Sequence, residues 1–178
     1  MKLTIAAFSL AAALSLQAQP ADPLMATSKG MYSISKRDVM GSVDKIPENL
    51  WSYQPTKDVR TIGQLFAHIA DGQYEFCGVA TTGAPVNKDI EKTAKTKAEI
   101  VEALNRAFSY CEEAYQGLTD AKAAETVKFF GMTITRLGAM DFNIAHNMEH
   151  YGNLVTYMRI KGIVPPSSTP PPAPAAKK

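Results

Sequence analysis

Residues 135–159 read TRLGAMDFNIAHNMEHYGNLVTYMR, a stretch without proline in which large apolar side chains recur every three or four residues. This spacing predicts an amphipathic helix from about Thr135 to Arg159, which ends before Gly162 and Pro165. Its apolar face consists of Leu137, Met140, Ile144, Tyr151, Val155 and Met158. A helix of this length with one apolar face requires partner helices that cover that face.

Three upstream segments show the same helical spacing. The first runs from about Leu24 to Val43, and its apolar positions are Met31, Ile34, Val39 and Val43. The second follows Thr61, a suitable N-cap residue, and ends near Ala80. The third ends at Gly117, and its apolar stripe is Ile100, Val101, Leu104, Phe108, Cys111 and Tyr115. Only residues 126–130 read as a short extended piece. The pattern therefore predicts an all-α four-helix bundle.

Both ends of the chain differ from this helical region. Met1 and Lys2 precede an apolar run, 3–16, that is followed by small or polar residues, which is the order of a secretory signal peptide. The run is too short for a stable membrane span, so we expect a periplasmic or secreted protein. Residues 165–178 are rich in proline and predict a disordered, extended tail. We therefore divide the chain into a signal peptide (1–20), a bundle (21–164) and the tail.

The composition is that of an ordinary globular protein. The chain has 178 residues, of which 46% are hydrophobic, and 19 Lys plus Arg stand against 17 Asp plus Glu, a net charge of +2. What remains after both ends are trimmed is enough for one domain. No basic cluster alternates with aromatic residues, so the composition predicts that the protein has no nucleic-acid partner.

The three histidines carry the clearest chemical signal. His146 and His150 are four residues apart, which places both imidazoles on one face of the last helix, as in helices that supply two ligands to one metal. The same stripe contains Asn143, Asn153 and Tyr157 and is bounded by Phe142 and Ile160. These flanking residues predict burial, which is costly for polar groups unless they bind something. His68, on the second helix, could reach the pair across the bundle.

Simpler interpretations exist for each of these residues. A lone histidine, or an isolated pair on a helix, is more often an ordinary core or surface residue than a metal ligand. Asp71, Glu75 and Glu149 are most simply solvated, with a supporting role beside a metal open for Glu75. Trp51 and Tyr53 fit the core better than a cofactor site. The sequence shows no Ser/His/Asp set and no phosphate-binding glycine loop, and it assigns no general acid or base.

Two stretches of the chain resemble the DinB-like family of bacterial four-helix-bundle proteins. Residues 144–166, which include IAHNMEHYGNLVTYMR, are similar to the last helix of that family, and residues 60–71, RTIGQLFAHIAD, resemble its second helix. The resemblance extends over about residues 24–166. It implies an up-down-down-up bundle with a long crossover between helices two and three. It also implies that His68, His146 and His150 hold a divalent metal ion.

The resemblance further implies a metal-dependent enzyme, either a hydrolase or a thiol-dependent transferase, with a small-molecule substrate. Three neutral imidazoles leave open coordination positions, as in catalytic sites, and they favour zinc or nickel, although iron and manganese are also compatible. The export signal weakens the thiol option, because low-molecular-weight thiols are scarce outside the cell. The alternative is a non-enzymatic bundle that binds a metal or a small ligand. Relatives of this kind often form dimers, so a homodimer stays open.

Cys77 and Cys111 are the only cysteines. If helices two and three turned directly back on each other, the two residues would be about 20 Å apart and could not bond. The connection 81–96 is long enough to recross the bundle, which would bring both cysteines to the same end. Buried free thiols are the alternative. The crossover implied by the DinB resemblance favours parallel helices and a Cys77–Cys111 disulfide.

Overall fold

Four long helices account for most of the computed structural model, which describes residues 21–169. In chain order, the elements are α1 (Pro23–Lys45), α2 (Ile62–Thr82), α3 (Ile90–Thr93), α4 (Lys97–Gly117), α5 (Asp120–Ala123), β1 (Thr126–Phe129), β2 (Met132–Thr135) and α6 (Arg136–Ile160). Two 3-10 turns lie at Glu48–Leu50 and Pro166–Ser168. Helices α1, α2, α4 and α6 pack as a four-helix bundle, which confirms the predicted fold class.

Threonine residues are the N-caps of three of the long helices. The Thr61 side chain accepts a hydrogen bond from the Gln64 amide, and the Gln64 side chain accepts one from the Thr61 amide. Thr96 and Glu99 form the same reciprocal pair at the start of α4. Thr135 accepts from the Gly138 amide at 3.0 Å at the start of α6. Each bond satisfies an amide that the first turn of a helix leaves without a partner, and the predicted cap at Thr61 is confirmed.

The helix directions follow from contacts between helices. Arg136, at the start of α6, donates to the Ala80 carbonyl near the end of α2, so these two helices are antiparallel. Gly63 faces Ile100 near the start of α2 and α4, which makes this pair parallel. Ser28 donates to Asp141 at 2.7 Å, and α1 runs parallel to α6. The order is thus up-down-down-up, with the crossover between α2 and α4, as predicted.

A disulfide joins α2 to α4 in the interior of the bundle, toward the C-terminal ends of both helices. The Cα atoms of Cys77 and Cys111 are 5.4 Å apart, and both residues are completely buried. The Asn143 side-chain amide, on α6, lies 3.3 Å from the Cys111 sulfur and donates to Gln73 at 3.0 Å. A buried amide needs such partners, because an unpaired one costs free energy. The core therefore contains a polar layer that connects the disulfide to α6.

Helix α1 buries only part of the apolar stripe that its sequence predicts. Met31 and Ile34 are about half exposed, at 55% and 49%. The buried face combines the apolar Met25, Tyr32, Val39 and Val43 with the polar Ser28, Ser35, Asp38 and Ser42. Ser28 and Ser35 meet polar side chains of α6, namely Asp141 and Asn147. The predicted helix and the burial of Val39 and Val43 are confirmed, whereas Met31 and Ile34 are exposed, because these hydrogen bonds let small polar residues occupy part of the interface.

A β-hairpin precedes α6. Strands β1 and β2 pair antiparallel, with Phe129 opposite Met132. Phe130 and Gly131 form the tip, and both have positive φ, at 47° and 79°. Two consecutive residues of positive φ match the twist of a tight hairpin. The predicted extended piece corresponds to β1, whereas β2 was not predicted.

The proline-rich segment begins differently from the prediction. Residues 165–169 are not an extended stub: Pro165 is buried, Pro166–Ser168 form a 3-10 turn, and the Pro166 ring lies against α1 at Gly41. Tyr151 donates to the Ser167 hydroxyl at 2.7 Å, and its oxygen accepts from the Ser167 amide at 3.0 Å. The rest of the predicted tail and the predicted signal peptide lie outside the described residues. Within residues 21–169, no helix is both long and apolar enough to cross a membrane.

Candidate metal centre

Three histidine side chains meet between α2 and α6. His68 comes from α2, while His146 and His150 lie one turn apart on α6. The Nε2 atom of His146 is 3.2 Å from Nε2 of His68 and 3.1 Å from Nε2 of His150. One ring nitrogen of each residue lies within 4.8 Å of the other two. The structure thus brings together the three residues that the sequence singles out.

Gly72 provides the space for the His146 ring. A Cβ atom at residue 72 would lie 2.5 Å from Cε1 and 2.8 Å from Nδ1 of His146, which is closer than real Cβ contacts. Phe76, one turn further along α2, packs edge-to-face against the same ring, with centroids 5.0 Å apart. The spacing of His68, Gly72 and Phe76 on α2 therefore creates a slot for an imidazole from α6.

Two of the imidazoles are held neutral at physiological pH. Burial, followed by the charge of His150 and then of His68, lowers the pKa of His146 to about 3. Burial and then the charge of His68 lower the pKa of His150 to about 4. A neutral imidazole keeps a lone pair on one ring nitrogen, which is the form that binds metals.

The donor set fits a divalent transition-metal ion. Lone pairs that face one another at the observed Nε2 separations repel, unless a proton or a cation lies between them. Imidazole nitrogens that share a tetrahedral zinc ion at about 2.0–2.1 Å are about 3.3 Å apart, close to the separations of 3.1 and 3.2 Å in the cluster. The buried Nδ1 atoms of His146 and His150 have no hydrogen-bond partner within residues 21–169. Within that part of the chain, no hydrogen bond at Nδ1 therefore sets the orientation of these two rings.

Glu91, on the short helix α3, contacts the cluster from the crossover. Its Oε2 atom is 2.9 Å from Nδ1 of His68, and its Oε1 atom accepts from Nε of Arg60 at 2.8 Å. Burial by itself would raise the pKa of Glu91, but the hydrogen bond and charge of Arg60, and then His68, hold it below its usual value. Glu91 is therefore an ionised acceptor for a proton on His68 Nδ1.

The surroundings of the cluster differ from one side to the other. On one side, a polar cleft of about 620 Å³ has a lining that includes Arg60, Glu91, Glu149, His150, Asn153 and Tyr157. On the other side, Phe142 packs edge-to-face on Phe76, which contacts His146, and Phe130 extends this aromatic group to the hairpin tip. The cluster therefore lies between a polar entrance and an aromatic wall.

Sequence comparison places the chain in a family. Residues 31–154 match the family model of the DinB superfamily, which is more than half of the chain. The chain belongs to the DinB superfamily. No curated protein matches it significantly in sequence.

Solved structures of DinB-like proteins share its fold. A DinB-like protein from Bacillus subtilis is 19% identical, with a TM-score of 0.63, over 76% of this chain and 92% of that one. Another, from Bacillus cereus, is 17% identical, with a TM-score of 0.67, over 78% of this chain and 93% of that one. A mycothiol-dependent maleylpyruvate isomerase is 11% identical, with a TM-score of 0.62, over 73% of this chain and 60% of that one. At these identities, the likeness establishes the fold alone.

For this DinB-superfamily chain, the sequence identified the three histidines but missed Glu91. Glu75, which the sequence suggested for a supporting role, makes no hydrogen bond to the histidines within the described region, and burial raises its pKa. Glu91 lies on the crossover, 23 residues from His68, where no helical periodicity connects the two. The one sequence feature that could have indicated Glu91 was its charge, in a connection long enough to pass over α2.

Proposed function

We propose that this DinB-superfamily chain is an exported, metal-dependent enzyme that holds one divalent ion with His68, His146 and His150. The convergence of three Nε2 atoms carries the proposal. A three-ligand set leaves coordination positions for substrate, which is typical of catalytic sites. Imidazole ligands favour zinc or nickel, and iron and manganese are compatible.

Hydrolysis of a small ester or amide is the reaction that we favour. A bound divalent ion supplies Lewis acidity and lowers the pKa of a coordinated water. The chain would admit a small polar substrate through the cleft that reaches His150. Arg60 and Asn153 in that cleft can bind polar substrate groups, while Phe76 keeps water from the opposite side of His146. The cleft shows no extended basic surface, so the proposal has no nucleic-acid partner.

A thiol-dependent transfer is the second candidate. Its support is the shared fold with a mycothiol-dependent maleylpyruvate isomerase. Export would weaken this candidate, because an oxidising compartment contains little free thiol. The export part of the proposal rests on the residue pattern at 1–20, which lies outside the described structure, and is supported by the Cys77–Cys111 disulfide.

A non-enzymatic metal-binding bundle is the third candidate. It is favoured by the lack of an assigned general acid or base, since Glu91 is the one carboxylate that hydrogen-bonds the cluster within residues 21–169 and it is already paired with Arg60. This candidate predicts metal binding without turnover.

The decisive experiment combines metal analysis with an activity screen. The purified mature protein should contain about one divalent ion per chain, and His146→Ala or His150→Ala should remove it. Lys122→Ala, at a partly exposed ion pair on α5, is the matched control and should leave metal content unchanged. Metal content that survives the loss of either histidine would refute the site.

The loaded protein is then tested with ester, amide and thiol substrates, with and without a chelator. Turnover that the chelator abolishes and the metal restores supports the enzyme. Full metal occupancy without turnover on any of these classes supports the non-enzymatic bundle.

A further inference from the structure

We propose that Glu91 is a positioning residue that sets the ring orientation and tautomer of His68, and that Asp71 holds Glu91 in place. This inference rests on the proposed metal site. It assigns a role to the crossover between α2 and α4, which the function described above leaves unexplained.

The contact itself determines the tautomer. A carboxylate 2.9 Å from Nδ1 accepts a hydrogen bond from that nitrogen, so a proton is on Nδ1, and in the neutral ring the lone pair is then on Nε2. Nε2 of His68 is the atom that faces His146. Histidine ligands of metals commonly donate their second nitrogen to a carboxylate in this way, which fixes the ring and strengthens the donor.

Asp71 anchors the segment that carries Glu91. Its two carboxylate oxygens accept the backbone amides of Ile90 at 2.8 Å and Glu91 at 2.9 Å. Asp89, which precedes them, has a positive φ of 51°, and its own side chain does not cap α3. The amides at the start of α3 are therefore bound by α2 instead of by their own segment.

The anchor and the ligand share one helix. His68 and Asp71 are three residues apart on α2, so they project from neighbouring positions of the same face. The crossover is thereby aligned to the helix whose histidine it orients. Arg60 donates from Nε to Oε1 of Glu91 at 2.8 Å and from Nη2 to Oε2 at 3.4 Å, so Oε2 accepts from both Arg60 and His68.

The three histidines differ in the hydrogen-bond partners of their Nδ1 atoms. Nδ1 of His146 and of His150 has no hydrogen-bond partner within residues 21–169, whereas Nδ1 of His68 has a charged one. The packing of Gly72 and Phe76 holds the His146 ring sterically. The His68 ring is half-buried and packs only against the other two histidine rings of the cluster among the aromatic side chains of residues 21–169, with centroids 5.0 and 4.7 Å apart. Glu91 is its one hydrogen-bond partner from outside the three histidines in that part of the chain, so we assign the ring orientation to this carboxylate.

The first test measures metal affinity of the full mature chain by competition with a chromophoric chelator. Glu91→Ala should weaken Zn²⁺ binding about 10- to 100-fold. Glu91→Gln should fall between this variant and the wild type, because the Gln oxygen can still accept from Nδ1 but carries no charge. Glu113→Gln, on the exposed side of α4, is the matched control and should bind as the wild type does. Wild-type affinity in Glu91→Ala would overturn the proposal.

The second test needs no metal. ¹H–¹⁵N spectra of the imidazole nitrogens should show His68 of the metal-free wild type protonated at Nδ1, and a mixture of tautomers in Glu91→Ala. An unchanged tautomer would refute the role of Glu91 even if the variant were less stable. If the wild type binds no Zn²⁺, the proposed function fails, and this spectrum still decides the role of Glu91.

The anchoring role of Asp71 has its own variant. Asp71→Asn keeps one acceptor oxygen and should weaken Zn²⁺ binding less than Glu91→Ala does. In the double variant with Glu91→Ala, the Asp71→Asn change should weaken Zn²⁺ binding little further, because Asp71 acts on the metal site through Glu91. A double variant whose loss is the full sum of two independent losses would exclude Asp71 as the anchor of Glu91.

Discussion

Gly72 and the imidazole of His146 occupy complementary space, since a Cβ at residue 72 would lie 2.5 Å from His146 Cε1. Gly72→Ala should therefore displace the ring and weaken metal binding by at least 10-fold, while the fold survives, because a side chain can move where backbone cannot. Alanine also favours the helix by about 1 kcal/mol relative to glycine. Metal affinity and thermal unfolding, measured on the same samples, test this expectation.

The matched control for that substitution is Gly30→Ala on α1, where a Cβ meets nothing within 4 Å. It should raise stability by up to about 1 kcal/mol and leave metal affinity unchanged. Equal metal affinities in the two variants would show that the close approach of Gly72 and His146 does not matter for the site.

The metal-free protein should lose stability as the pH falls. The pKa of His146 is lowered from 6.5 to about 3, and that of His150 from 6.5 to about 4. Between pH 6.5 and these lowered pKa values, the unfolded chain binds more protons than the folded one. The stabilisation is therefore complete above pH 6.5 and is lost progressively toward pH 4. Each ring contributes a slope of at most about 1.4 kcal/mol per pH unit.

Urea unfolding of the chelator-treated protein between pH 7.5 and 4.5 measures this slope. His146→Asn removes one titrating ring and should flatten the dependence, while carboxylates titrate equally in both proteins. Parallel pH profiles for the two proteins would contradict the lowered pKa.

Truncation should distinguish the turn at residues 166–168 from the rest of the C-terminus. A chain that ends at Pro165 loses both hydrogen bonds between Tyr151 and Ser167 and the contact of Pro166 with Gly41. Relative to a chain that ends at Thr169, we expect a loss of about 1–3 kcal/mol. The melting temperature should fall by several degrees, at about 2–4 °C per kcal/mol for a chain of this size. Identical melting temperatures would mean that the turn does not stabilise the bundle.

The disulfide should contribute strongly to stability. It joins residues 34 apart, and closing a loop of that length is worth about 3–4 kcal/mol in the loop-entropy model. Cys77→Ala/Cys111→Ala should unfold at correspondingly lower urea concentration. Reductant should produce a comparable shift in the wild type and none in the double variant. Two titratable thiols in denatured, unreduced protein would show that the bond does not form.

Interactions within a few residues were readable directly from the sequence. The extent of α6, the threonine cap at Thr61 and the shared face of His146 and His150 depend on the period of a helix and on the polar groups of its first turn. The bundle follows from four such amphipathic segments, since each needs others to cover its apolar face. Local spacing therefore determined the fold class and two residues of the site.

Tertiary structure decided which polar side chains are buried or oriented by partners that are distant in the chain. Ser28 is buried because Asp141, 113 residues away, accepts its hydrogen bond, and the apolar Met31 is left exposed on the same helix. Glu91 reaches His68 only because the crossover passes over α2 and Asp71 holds it there. Ser167 is ordered by Tyr151 and not by its proline-rich neighbours. A polar group can be buried or aimed only where a partner satisfies it, and which distant residue supplies that partner depends on how the helices pack, not on local spacing.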